Sequence, residues 1–523
     1  MENHGARRTI YRIIAISLIL GIVSAMFAVS AVLASIVEPK FSTGSIIILI
    51  ALAITTLASS LLANTIPQMV TLVWRWPQAA GMDLVAVVDR LRRLRRPGRL
   101  ISIAVVATLV VATGLMLRSP ADDDALEPGE IVVMTAFDDS PNDPRTMLLR
   151  QWNQLHPSNV ASFEYAPGEP DEQHERMVQD ARLGERRKAD IYVLDIVWLE
   201  QFIQRGYIRP LDLDSLPNTN LSDFEPKVLA PGMRDGTVWA LPLNSDVGLV
   251  YHRSDVPGVG RPQKWEDYFG PAAGTAVRAA QKAGVEIEAA NAAQLAGQEM
   301  LTIIALEAIW AAGGEVVTDQ GQVIRTTNNE EVRFDTFDKK GIENLIKAAM
   351  DPNVVLGAEE KEWLSTEREA TDAFANGRTL YMRNWPVEYE QISRIDRGLD
   401  FDVAAPPTPS VLGGQYLAIS ADTDRPRAAH ALIEFFTSAS SQLILSDVGG
   451  FVPGHKFALD NTRRPYREAL REAINEARLR PVTPCYTEFS QTFREGIAFA
   501  LDEGRLRDDF PRQLAEALDS CRE

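Results

Sequence analysis

Ala189–Leu211, A-D-I-Y-V-L-D-I-V-W-L-E-Q-F-I-Q-R-G-Y-I-R-P-L, is the stretch from which the fold can be read. A short apolar run, Ile191 to Leu194, predicts a buried strand. Asp195 then turns the chain, the spacing over Val197 to Arg205 predicts an amphipathic helix, and Gly206 stops it. A strand that hands over to a helix is the unit of an α/β protein, and ligands bind such proteins outside the carboxyl ends of the strands. Asp195 and Trp198 sit at that position and are the first candidate site residues.

Outward from this stretch, the chain of 523 residues is too long for one ordinary domain. Its formal charge of −18 argues against nucleic acid as a partner, because a phosphate backbone requires a basic face. Ile13–Val37, Ile46–Ile66 and Leu100–Leu117 are uncharged runs long enough to cross a bilayer, so three transmembrane helices are expected. Arg7, Arg8 and Arg12 precede the first run, and the 68–99 loop holds seven arginines, Arg75 to Arg99, whereas the turn between the first two runs holds only Lys40. The positive-inside rule then places the N-terminus and this loop in the cytoplasm, with the loop against anionic lipid, and everything after Arg118 outside the cell. A signal peptide over Arg90–Leu117 is the competing reading, but the run is internal and lacks a small-x-small cleavage site.

The expected organisation is a multi-pass membrane anchor over 1–118, an acidic tether over 119–130, and an extracellular part from Ile131 onward. In that part short apolar strands alternate with amphipathic helices. Ile131 to Ala136 reads as a strand, which puts Asp138 and Asp139 at the same kind of strand end as Asp195. There they either cap the following helix or face a ligand. Asn244 and Asp246 interrupt two apolar runs, Trp239–Leu243 and Val247–Tyr251, where they are either turn residues or hydroxyl-binding groups. The two cysteines, Cys485 and Cys521, either remain free thiols or close a loop of about 36 residues whose disulfide would contribute about 3–4 kcal/mol.

Several stretches carry a family resemblance. Asp195 and Trp198 followed by G-Y-I-R-P-L-D, the segment Trp239–Tyr251, W-A-A-G-G-E at Trp310–Glu315, and F-A-N-G-R at Phe374–Arg378 resemble the sugar-binding proteins of bacterial ABC importers, extracellular solute-binding family 1. M-R-N-W-P at Met382–Pro386 and R-P-V-T-P-C-Y-T-E-F-S at Arg480–Ser490 resemble in particular its trehalose and maltose branch. The loop after the first strand departs from the family, because it lacks the glycines and tryptophans often found there.

The resemblance implies a two-lobe, periplasmic-binding-protein-like α/β fold of type II with a central cleft, preceded by the three transmembrane helices. Lobe 1 would comprise 131–247 and 407–450, and lobe 2 would comprise 248–406 and 451–523. The stretch Ala276–Ala296 reads as an insertion without chemistry. A saccharide would lie between the lobes, stacked on Trp385 and contacted by Asp139, Asp195, Trp198, Asn244, Asp246, Asn384, Gly414 and Tyr486. The implied partners are ABC permease subunits with their ATPase, and the bilayer. No catalysis, cofactor or metal is implied, and no motif marks the carboxylate pair that a glycoside hydrolase needs. A membrane-anchored sensor or scaffold using the same binding fold is the alternative.

Overall fold

The computed structural model describes residues 126–137, 143–395 and 399–521. The chain divides after Asp123 into two units, and every described residue belongs to the second. The three expected transmembrane segments and Asp139 lie outside the described residues. Among the described residues no helix is long and apolar enough to cross a membrane.

Strand β1 (Ile131–Ala136) is followed by helix α1 (Pro144–Leu155), β2 (Ala161–Ala166) and β3 (Ile191–Asp195). β1 pairs in parallel with both β2 and β3, which requires the intervening helices to cross over the sheet. The residues Ile191 to Leu194 are all buried, as a strand covered on both faces demands. After β3 the chain turns through a single 3₁₀ turn, Ile196–Trp198, before the helix Leu199–Gln204 begins. The expected helix is therefore shorter by one turn, because the Asp195 carboxylate accepts from the Val197 N–H at 3.1 Å and tightens the entry.

A small hairpin, β4 (Met233–Arg234) and β5 (Thr237–Val238), leads to β6 (Ala240–Val247). Gly248 alone separates β6 from β7 (Leu249–Arg253), and these two strands belong to different sheets. The second sheet has the order β10-β7-β9-β8, where β8 is Ala289–Asn291, β9 is Thr379–Asn384 and β10 is Phe401–Ala404. β8 lies within the stretch expected to be an insertion. That stretch instead supplies a fully buried edge to the sheet, which its many alanines concealed.

From β10 the chain returns to the first sheet as β11 (Val411–Ile419), antiparallel to β3 on one side and to β6 on the other. Helices over Pro426–Thr437 and Ala439–Gly449 pack on this lobe. A short β12 (Arg478–Leu479) then joins the start of β11. The stretch after 450, expected wholly in the second lobe, thus contributes to the first sheet. It crosses once more at 480–485 into the helix Tyr486–Glu503. Cys485, at the head of that helix, is joined to Cys521 by a disulfide with Cα atoms 5.4 Å apart.

A buried ion pair lies within the second lobe, behind its sheet. Arg383 on β9 donates to both carboxylate oxygens of Glu307, at 2.7 and 3.1 Å, and both side chains are almost wholly sealed from water. Glu307 lies on α2 (Glu299–Ala311), an apolar helix buried nearly all round. The same carboxylate accepts the Val411 N–H at 3.1 Å, so it ties the second sheet to the first residue of the returning strand. Gly248 is required beside this pair, because a Cβ there would overlap the Arg383 guanidinium.

Removing one partner of such a pair strands a charge in the interior, whereas replacing both with apolar side chains does not. Glu307→Ala is therefore expected to lower unfolding free energy by about 3–5 kcal/mol in urea denaturation, and Glu307→Leu combined with Arg383→Met by clearly less. A single variant as stable as the wild type would contradict this account.

Candidate functional site

A cavity of about 250 Å³ opens between the two sheets at the carboxyl ends of β3 and β9. Asp195, Trp198, Asn244, Asp246, Trp385, Gly414 and Tyr486 all line it. They come from five separate parts of the chain, and the crossings bring them together.

Asn244 and Asp246 are two residues apart on β6, so both project from the same face of the strand. Asn244 is 2% exposed, its amide donates to the Ser245 carbonyl at 3.1 Å, and its own carbonyl oxygen has no protein donor. The Asp246 carboxylate has no hydrogen bond or ion pair among the described residues. Opposite, Gly414 has φ +129°, and a Cβ there would lie 2.6 Å from the Asn244 backbone carbonyl oxygen. Only glycine allows β11 to approach β6 this closely.

Trp385 is presented at the end of β9. Arg383 lies 4.3 Å from its ring centroid, a cation–π contact that holds the indole from the interior side. Its ring N–H points to a Glu367 oxygen at 3.4 Å, and its carbonyl accepts from the Tyr251 hydroxyl at 2.7 Å.

Asn384 does not reach the cavity. It is fully buried, donates to the Glu367 carbonyl and the Thr371 hydroxyl at 3.0 and 3.1 Å, and accepts the Trp385 N–H at 2.9 Å. Its amide shapes the turn that aims Trp385. Trp198 is 8% exposed and packs against His174, with ring centroids 5.4 Å apart.

Sequence reasoning missed the residue that joins the walls. Arg480, 5% exposed, donates to Asp195 of the first lobe at 3.0 Å and to Glu299, at the start of α2 in the second lobe, at 2.9 Å. Glu299 also accepts from the Tyr486 hydroxyl and, at 2.6 Å, from the Ser490 hydroxyl. Arg480 stands first in the R-P-V-T-P-C-Y motif that pointed to Tyr486, so the signal was present. Its partners were not, because Asp195 and Glu299 lie far away in sequence. Glu367, at the start of α3 (Glu367–Ala375), and Arg145 on α1 also line the cavity without having been singled out.

Burial gives the carboxyls here unusual acidity. Desolvation, then repulsion from Asp195, pushes Asp246 up to about 8, against the opposing pull of Arg383. Desolvation likewise raises Glu367 above the usual carboxylate range.

Two lobes, each built on its own sheet and joined by three crossings around a polar cleft with an aromatic wall, define a ligand-binding protein rather than a single-core domain. Among solved structures, the chain is similar to maltose-bound MalE3 of T. maritima, with a TM-score of 0.63 and 22% identity, covering 75% of this chain and 99% of that one. The GacH receptor of Streptomyces glaucescens, solved unliganded and with acarbose, matches with a TM-score of 0.60 and 17% identity over 75% of this chain and 98% of that one. The sequence profile of the bacterial extracellular solute-binding proteins matches residues 156–463, and the chain belongs to that family. A probable ABC transporter-binding protein of Deinococcus radiodurans is 27% identical over 266 residues, or 48% of this chain, and the match spans 59% of that relative's length.

The acidity of Asp246 predicts a pH dependence of stability. Between its unfolded value near 3.9 and its folded value of about 8, the folded chain keeps a proton that the unfolded chain releases. The penalty is therefore absent at about pH 4 and grows as pH rises toward 8. Asp246→Asn removes it, so the variant's melting temperature should gain on that of the wild type between about pH 5 and 8. A gain that is flat or shrinks with pH would show that the carboxyl is not so perturbed.

Proposed function

We propose that this protein is a membrane-tethered extracellular receptor that captures a saccharide between its lobes and delivers it to an ABC importer whose permease and ATPase are separate chains. The ligand class proposed is an α-glucoside of the trehalose or maltose type. The observation that carries this reading is the Trp385 wall. A rigid indole, held by Arg383, lines the same cavity as Asn244, whose Oδ1 has no donor, and Asp246, which forms no ion pair among the described residues. An apolar plane bordered by unengaged polar groups suits a pyranose ring, whose C–H face stacks while its hydroxyls take the hydrogen bonds.

The M-R-N-W-P motif supports the α-glucoside class, as do the maltose and acarbose named for the two structural neighbours. Ligand-binding roles are proposed for Asp195, Trp198, Asn244, Asp246, Trp385, Gly414 and Tyr486, with Asn384 positioning Trp385. The tether is read from the three uncharged runs before Arg118 and from the arginines of the 68–99 loop. Arg480, engaged with both lobes, would steady the closed state during hinge motion at the crossings. The unusual anchor also favours a second reading, in which a sensor or scaffold uses the same cleft without feeding a transporter.

Calorimetric titration of the full-length chain with trehalose, maltose and sucrose tests the receptor reading. At least one sugar should bind, and Trp385→Ala should weaken it by about 2 kcal/mol, roughly thirtyfold, with Trp385→Phe falling between. Deleting the protein should abolish uptake of that sugar. Normal uptake in the deletion strain would transfer the cleft to the sensor reading.

A further inference from the structure

The walls of the cleft carry more negative charge than the protein itself neutralises. Of five carboxylates that line it, three already have an arginine. Asp195 and Glu299 share Arg480, and Asp171 pairs with Arg494. The other lining arginine, Arg145, is engaged by the Thr135 hydroxyl at 2.9 Å and the Ala136 carbonyl at 3.0 Å. The two remaining carboxylates, Asp246 and Glu367, form no ion pair among the described residues, and both stand next to Trp385. A methyl-sized probe on Gly413 would touch the Asp246 Cβ at 3.3 Å and the Trp385 ring at 3.7 Å, while Glu367 reaches the indole N–H.

Beside them Asn244, 2% exposed, also lines the cavity, and its side-chain Oδ1 has no donor. Three groups at one end of the cleft therefore lack donors strong enough to offset their burial, and two of them are acids that repel each other. A neutral hydroxyl satisfies the hydrogen bonds but leaves that repulsion in place. A cation removes both.

We infer that the Trp385 end of the cleft receives a protonated amine, so that the ligand is an amino sugar whose ammonium group sits among Asp246, Glu367 and the Asn244 carbonyl. This rests on the saccharide reading and narrows it. An ammonium supplies three donors to three acceptors, and its charge is compensated by carboxylates that form no ion pair among the described residues. Burial strengthens each of these contacts, because water competes poorly inside a closed cleft. The lowered acidity of Asp246 and Glu367 comes first from the same burial, which leaves each carboxyl short of water.

The test is calorimetric titration of the full-length chain at about pH 7, where the ligand amine is largely protonated. The ligands are trehalose, its monoamino derivatives at C2, C4 and C6, and their N-acetyl forms. At least one amino derivative should bind about tenfold or more tightly than trehalose, and N-acetylation should erase the advantage. Asp246→Asn should shrink the ratio of amine to trehalose affinity, and Glu367→Gln supplies the same ratio should the first variant fail to fold. Trehalose binding as tightly as every amine would overturn the inference and leave the receptor reading standing. A wild-type protein that binds none of these sugars, nor maltose or sucrose, would overturn both.

Discussion

The Arg383 guanidinium and the Glu307 carboxylate have to meet out of reach of water, and much of the molecule is arranged to let them. Two buried charges are tolerable only with good geometry and full hydrogen bonding. Here the geometry is a two-point fork, with the Val411 N–H on the same carboxylate, and only the guanidinium Nη1 is left without a hydrogen-bond partner. Gly248 leaves room for the guanidinium, and α2 supplies the carboxylate from an otherwise apolar surface. The pair fixes β9 against α2 and the start of β11. It also fixes Trp385, because the indole rests on the guanidinium. Rigidity at the cleft wall is thus inherited from an interaction behind it.

A second set of charges, Asp195, Arg480 and Glu299, does a different job at the seam. Arg383 and Glu307 sit on elements of one lobe, whereas Arg480 reaches an acid of each. It lies on the third crossing, where β12 leaves the first sheet for the helix Tyr486–Glu503. Opening the lobes requires separating it from at least one carboxylate. The lobes can therefore be held together electrostatically while the cleft floor remains free for a ligand. Asp246, which forms no ion pair among the described residues, and Asn244, whose Oδ1 has no donor, line that floor.

The alternation of apolar runs and amphipathic segments made the α/β class legible, and β3 matches its expected span to within one residue. Most of the candidate residues were legible as well, because strand ends and turn chemistry mark where a side chain leaves the sheet. Asn384 shows the limit of that reasoning. Its polarity and position suggested a ligand contact, but in the fold its amide serves the turn beneath Trp385. Arg480 and Glu299 show the opposite limit, since no local pattern distinguishes an arginine that spans two lobes from one on a solvated face. The alanine-rich stretch that contains β8 was misread because small side chains carry little periodic contrast.

The sequence by itself determined most of the secondary elements outside the alanine-rich stretch, the family motifs and the three uncharged runs near the N-terminus. These are local properties, set by backbone preference and by the spacing of apolar side chains. Only the tertiary structure decided which charges are paired and which are left over. Asp195 finds its partner 285 positions away, and Arg383 finds Glu307 76 positions away. Such encounters depend on the chain crossing between two sheets three times. Whether a carboxylate is neutralised, desolvated or open to a ligand is a property of the assembled cleft, because electrostatic energy depends on distance and surroundings rather than on position in the chain.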